Sequence, residues 1–147
     1  MIELTVHTEI ARSRADVFAY VTDPGKLATW QTNTVSAVPE GPLPLAVGSR
    51  LREVHRAPGG KELASLVEVT EYEPDRAFAM HIVEGPLPLD SRITFDPSDD
   101  GTRMRFDVHG QPGGAMRLAQ PILRRTLKRQ FAGYCDTLKR ILEDPSS

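Results

Sequence analysis

Glu53 and His55 stand two residues apart in this 147-residue chain, and Tyr134 lies far downstream, four residues after Gln130. A carboxylate, an imidazole and a phenol are groups that move protons. Histidine titrates near neutral pH with little tuning. A general base must also reach its substrate by a hydrogen bond and have a pKa near the working pH. Glu53, His55 and Tyr134 are therefore the candidate catalytic side chains. Each has a plainer use as well. A His–Glu pair on one strand face is commonly structural, and a tyrosine ring packs in a core with its hydroxyl as a polar handle.

Other chemistries lack their residues. Histidines 7, 55, 81 and 109 do not show metal-ligand spacing. No Gly-rich phosphate loop or nucleophile elbow occurs. No metal and no cofactor are expected. Cys135 is the one cysteine, so no intrachain disulfide forms. It sits in a helical apolar pattern without an activating neighbour, which fits a buried, inert thiol.

The elements that position these side chains follow from periodicity. Ile2, Leu4, Val6 and Ile10 alternate with polar residues, the period of a half-buried strand. Ser13 suits a helix N-cap, with Asp16 near the positive helix start. Asp23-Pro24 breaks that helix, and Gly25 to Trp30 reads as a second helical turn. Thr32 to Val38 fits a strand. The prolines of Pro39-Glu-Gly-Pro-Leu-Pro-Leu45 exclude an interior strand and predict a loop. Strands are then expected over Gly48 to Arg56, Lys61 to Glu73, Arg76 to Glu84, Leu87 to Phe95 and Thr102 to Gly110. From Ala115 to about Glu143 the period is helical. Ala119, Ile122, Leu123, Leu127, Gln130, Phe131, Tyr134, Leu138, Ile141 and Leu142 form one stripe. Pro121 either starts this helix or kinks it. One long helix cannot cover a strongly curved sheet of about seven strands without leaving space. That space is the expected pocket.

Strand parity proposes its lining. Ala57-Pro-Gly-Gly60 is a strong hairpin signal. With a three-residue loop, Leu51, Glu53, His55, Leu63, Ser65, Val67 and Val69 share the inner face. With a two-residue turn, Glu53 and His55 face solvent instead. Phe78, Met80 and Ile82 are expected inside and His81 outside. Leu89, Ser91 and Ile93 share a face, as do Met104, Phe106 and Val108, while His7 and His109 fall outward. Leu127, Gln130, Phe131 and Tyr134 would face the sheet from the helix. Trp30 is either a core plug or the aromatic edge of the pocket mouth. The candidate ligand-binding set is thus Trp30, Leu51, Glu53, His55, Ser65, Val67, Met80, Leu89, Ser91, Ile93, Phe106, Leu127, Gln130, Phe131 and Tyr134. Apolar walls supply affinity in such a site, and a few polar groups fix orientation.

Length and composition fit one domain with a real core over residues 1–147. The net charge of −2 argues against nucleic acid as a partner. Residues 1–110 carry 11 basic and 17 acidic side chains, and residues 111–147 carry 7 and 3. The basic end is either a solvated helix face or a contact for anionic lipid or an acidic partner. No apolar run approaches the roughly 20 residues that cross a bilayer, so membrane contact would be transient and at the surface. The N-terminus lacks the regions of a signal peptide, and a cytoplasmic location is expected. A monomer or a homodimer is compatible with the sequence.

Several motifs, in order, resemble the START-like or SRPBCC superfamily, and within it the polyketide cyclase/dehydrase and lipid-transport branch. They are Ala15-Asp-Val-Phe-Ala-Tyr-Val-Thr-Asp-Pro24 with Trp30, Val47-Gly48-Ser-Arg50, and Val67-Glu-Val-Thr-Glu-Tyr-Glu-Pro-Asp-Arg76. Asp100-Gly-Thr-Arg103 and Leu138-Lys-Arg-Ile-Leu-Glu143 complete the set. The resemblance implies an α+β helix-grip fold: a curved antiparallel sheet around one long C-terminal helix, with two short helices after the first strand. It also implies that Gly41-Pro-Leu-Pro-Leu45 and Gly85-Pro-Leu-Pro-Leu89 rim the pocket entrance, as gates or simply as caps on the core. Three functions are compatible with it: carriage of a small hydrophobic molecule such as a lipid, polyketide or aromatic; a polyketide cyclase/aromatase or dehydratase using His55, Glu53 or Tyr134; and a partner-binding module of the chaperone-activator type. The metal and iron–sulfur ligands of the ring-hydroxylase branch are missing. Fold alone does not choose among these functions.

Overall fold

The computed structural model describes residues 1–57, 59–111 and 113–145. Pro58 of the expected hairpin loop and Pro112 of the turn that ends the sheet lie outside them.

Strand β1 (Ile2–Ile10) leads into helix α1 (Arg14–Val21), a 3-10 turn (Pro24–Lys26) and the short helix α2 (Leu27–Trp30). Ser13 caps α1, its hydroxyl accepting from the Asp16 amide at 3.2 Å. Asp23 caps the next turn by accepting from the Gly25 amide at 2.9 Å. Six strands follow: β2 (Thr34–Pro39), β3 (Arg50–Arg56), β4 (Glu62–Glu73), β5 (Ala77–Glu84), β6 (Leu89–Ser98) and β7 (Gly101–Gly110). A 3-10 segment (Gly114–Ala119) precedes the long helix α3 (Gln120–Glu143).

The strands form one antiparallel sheet in the order β1-β7-β6-β5-β4-β3-β2. Consecutive strands from β2 to β7 are neighbours, and β1 closes against β7. Pro39 ends β2, an edge strand, where its missing donor costs no ladder bond. With α3 packed on this sheet, the architecture is the helix-grip α+β fold.

The helix is fastened along β1. Arg12 donates to the Leu142 carbonyl at 2.8 Å, one of the orphan acceptors at the helix end. The Ala11 amide donates to Glu143 at 2.9 Å, and Arg124 donates to the Glu3 carbonyl at 2.8 Å. Beneath it, Leu4, Val6, Met104, Phe106 and Val108 meet Leu127, Tyr134, Leu138 and Leu142 in one core.

Pro121 stands within the first turn of α3 rather than at a kink, because a proline there displaces no intrahelical hydrogen bond. The helical period does not extend back to Ala115: the 3-10 segment winds more tightly and breaks the phase of the stripe. Ala119 is accordingly exposed, and Ile122, expected in the stripe, is 71% exposed. The buried face of α3 begins at Leu123.

The tight turn between β6 and β7 presses on the start of α1. A Cβ on Gly101 would lie 2.5 Å from the Ile10 carbonyl oxygen and 2.6 Å from the Arg12 amide nitrogen. Backbone cannot yield as a side-chain tip can. Gly101→Ala is expected to lower stability by about 2 kcal/mol in urea unfolding followed by Trp30 fluorescence. Gly41→Ala, with nothing within 4 Å of the new carbon, should change it by less than about 0.5 kcal/mol.

Candidate functional site

The β3–β4 connection places three residues between Ala57 and Lys61, with the Ala57 amide donating to the Lys61 carbonyl at 2.8 Å. Leu51 pairs with Val67, Glu53 with Ser65 and His55 with Leu63. This register turns Glu53 and His55 toward the interior. Glu53 is only 4% exposed. Its Oε1 lies 3.2 Å from His55 Nε2, while its Oε2 is buried with no hydrogen-bond partner among the described residues. An unpartnered buried carboxylate oxygen is costly to keep. Strand β2 flanks the pair from the edge, with Thr34 opposite His55 and Ala37 opposite Glu53 around a bulge. Thr34 Oγ1 is also buried and, among the described residues, unpartnered.

Tyr134 meets this group from α3. Its hydroxyl donates to Asn33 Oδ1 and accepts from Gln130 Nε2 at 2.6 Å. Burial pushes the phenol pKa up; the Gln130 hydrogen bond opposes the shift, and the charge of Glu53 adds to it. The proton is thus held on Tyr134, which disfavours it as an acid–base group. Trp30 is fully buried and meets Tyr134 edge-on, with ring centroids 6.4 Å apart. Phe106 and Phe131 complete the aromatic floor at 4.9 Å from each other. Trp30 is therefore a core plug under the polar group.

The remaining candidates show one consistent trend. At the end of the sheet near α1 the inward side chains are buried: Leu51, Val69, Phe78, Phe95, Leu138 and Leu142. Toward the other end the inward side chains become half-buried: His55 on β3, Leu63 and Ser65 on β4, Met80 and Ile82 on β5, Leu89 and Ser91 on β6. Leu123, Gln130 and Phe131 on α3 behave the same way. Val67, Ile93, Phe106 and Leu127 lie deeper and are buried. Tyr72 and Ile141 at the α1 end are half-buried as well, but most of the accessible inward side chains gather at the end away from α1. That open end carries Glu53, His55 and Ser65 on one wall and Gln130 and Tyr134 on the other. Of the two proline-rich loops, 41–45 inserts the buried Leu45 into the core, and 85–89 borders the open end with Leu87 half-buried against it.

The other polar candidates lie elsewhere. His7, His81 and His109 are exposed. His81 and His109 flank Asp90 on the outer face of the sheet. Sequence reasoning missed Asn33 and Thr34. The only signal for them is position: they follow Trp30 closely and open the strand that pairs with His55.

The outer face of α3 carries a separate feature. Arg124, Arg125, Lys128 and Arg129, with Pro121 and Ala132, line a surface cleft of about 460 Å³. Arg125, Lys128 and Arg129 have no acidic partner among the described residues. No described helix is long and apolar enough to cross a membrane.

The seven-stranded antiparallel sheet with α3 packed on it defines a helix-grip protein. Residues 1–143 match the family model "Polyketide cyclase / dehydrase and lipid transport", and the chain belongs to that family. Among solved structures it is similar to TTHA0849 from Thermus thermophilus, at 17% identity and a TM-score of 0.84, covering 99% of both chains. It is also similar to MLL2253 from Mesorhizobium loti, at 19% identity and a TM-score of 0.73, covering 97% of this chain and 98% of that one. The di-domain ARO/CYC StfQ of the steffimycin biosynthetic pathway aligns at 16% identity and a TM-score of 0.77, over 99% of this chain and 51% of StfQ. At these identities the likeness is one of fold. No curated protein matches the chain in sequence.

Two titrations check the interior. In a pH titration followed at 295 nm, Tyr134→Phe should leave the absorbance rise through about pH 10 to 11 unchanged, because the Tyr134 phenol does not ionise in the ordinary tyrosine range. A smaller rise in the variant would contradict the buried setting. Burial also pushes the Cys135 thiol up to about 12, and the residue is 2% exposed. An aromatic disulfide reagent at about pH 8 should label Cys135 only as the protein unfolds. Rapid labelling of the native protein would show a looser core.

Proposed function

We propose that the chain binds and carries a small hydrophobic molecule at the half-open end of the helix–sheet interior. The burial trend carries this reading: inward-facing side chains from β3 to β6 and from α3 are half-buried mainly at the end away from α1. The half-buried inner wall is mostly apolar, with His55, Ser65, Ser91 and Gln130 as its polar groups beside the buried Glu53. That is the composition of a small-molecule site. Family membership agrees with a hydrophobic ligand. Tyr134 is committed to Asn33 and Gln130, so the acid–base set narrows to His55 oriented by Glu53. This pair would supply a proton donor or acceptor if the bound molecule is also transformed.

The test uses prodan, an apolar fluorophore without a hydrogen-bond donor, whose emission shifts blue in apolar surroundings. Wild-type protein should take it up with saturable binding. Ser91→Phe and Met80→Trp, which fill the open end, should each weaken uptake by about tenfold or more through lost volume and contact area. Absence of uptake by wild type, or undiminished uptake by both variants, would sink the site.

A carrier of apolar cargo must meet the phase that holds it, and the outer face of α3 suits an anionic membrane surface. Leu118 is 91% and Ile122 71% exposed. Ile122 continues into Arg125 and Arg129 at helical spacing, and Leu118 precedes them in the 3-10 segment, so exposed apolar and cationic side chains lie together at the start of α3. Each cation near an anionic surface contributes about 1 kcal/mol. The protein should cosediment with phosphatidylglycerol vesicles and not with phosphatidylcholine vesicles. Arg125→Glu with Arg129→Glu should abolish that binding. So should about 0.5 M salt, whose screening length is roughly threefold shorter than that of about 0.05 M. Equal binding to both lipids would contradict the electrostatic contact.

A further inference from the structure

We infer that the ligand presents a neutral hydroxyl group to Glu53 and Thr34; this rests on the reading of the half-open interior as a binding site. Two buried oxygens there lack partners among the described residues, Glu53 Oε2 and Thr34 Oγ1. Both side chains are more than nine-tenths buried, Glu53 at 4% and Thr34 at 6% exposure. Thr34 lies opposite His55, and Ala37 opposite Glu53, so Thr34 and Glu53 are diagonal neighbours across the β2–β3 pair. Such positions are about 7–8 Å apart at the backbone, within reach of long side chains.

The chemistry of the two oxygens specifies what would satisfy them. The other carboxylate oxygen of Glu53 is already held by His55 Nε2 at 3.2 Å. Oε2 as a carboxylate oxygen only accepts, and the threonine hydroxyl can donate. A ligand hydroxyl donates one hydrogen and accepts another at a single atom, so it serves both. An ammonium could donate to both oxygens but would leave the Thr34 hydroxyl hydrogen without an acceptor, and a carbonyl or ether has no donor for Glu53. The Tyr134 hydroxyl cannot fill the role, since it is bonded to Asn33 and Gln130. Leu51 and Val67, on the same sheet face as Glu53, are buried apolar neighbours, and Phe131 packs edge-on against Tyr134. The class of ligand is therefore an apolar molecule with a hydroxyl, such as a phenol or a hydroxylated aliphatic, bound with the hydroxyl innermost.

A site whose buried polar groups await a hydroxyl rejects an analogue that lacks it far more strongly than an apolar pocket rejects a missing methylene. Calorimetric affinities of 1-naphthol, 1-methoxynaphthalene and 1-naphthylmethylamine test this with the intact chain. Wild type should prefer 1-naphthol over the ether by about tenfold or more, as expected for a hydrogen bond to a charged acceptor. Glu53→Gln should cut the preference below about threefold, and the near-isosteric Thr34→Val should lower it part of the way. Equal affinity for naphthol and ether in wild type would overturn the inference while leaving the binding site intact, the result expected if water bridges the two oxygens. Tighter binding of the amine, or a preference that survives both substitutions, would overturn it too. Failure of wild type to bind prodan and all three naphthalenes would remove the site itself.

Discussion

Side chains alternate faces along a strand, so a slip of one residue between β3 and β4 would turn Glu53 and His55 into water and Arg52 and Val54 inward. The three-residue connection from Ala57 to Lys61 prevents that slip, and everything at the polar end of the interior depends on it. It sets Glu53 against Ser65 and His55 against Leu63. It also fixes what β2 can add, because β2 pairs only with β3 and brings Thr34 to the same wall. Without that register, Glu53 and His55 would not share the interior with Tyr134, and the polar cluster would not form.

The two ends of the molecule divide the work. Near α1 the chain devotes its residues to closure: the Ser13 cap, the Arg12 hydrogen bond to the end of α3, and Phe18 packed edge-on against Phe95 and Tyr72. At the other end, polar atoms are left unsatisfied and inward side chains stay half-exposed. A stable end lets a protein keep such unfavourable groups where binding needs them. The proposed hydroxyl ligand would complete the hydrogen bonding that the chain leaves open.

Much of the fold was legible because it rests on local signals. Alternation marked β1 and β7, Ser13 marked a helix start, Asp23-Pro24 marked a break, and the prolines from Pro39 marked a loop, although Pro39 itself ends β2. Errors arose where a local pattern met a change of geometry. Ile122 continues the apolar stripe in sequence, yet the 3-10 turn before α3 breaks the phase, and the first turn of the helix sits at the open end. The site was only half legible. Parity and helical spacing made Glu53, His55, Gln130 and Tyr134 candidates, with the hairpin register that turns Glu53 and His55 inward left open. Asn33 and Thr34 were not, since an amide and a hydroxyl after a tryptophan carry no pattern of their own.

The sequence by itself determined the order of elements, the apolar face of each, and the family, because periodicity and turn chemistry act over a few residues. Only the tertiary structure decided which hairpin register holds, that Tyr134 is locked between Asn33 and Gln130, and that Glu53 and Thr34 keep oxygens unpartnered among the described residues. Asn33 and Tyr134, which share a hydrogen bond, are 101 residues apart in the chain. Whether a polar atom is satisfied depends on all the neighbours that folding gathers around it, and no stretch of sequence contains them together.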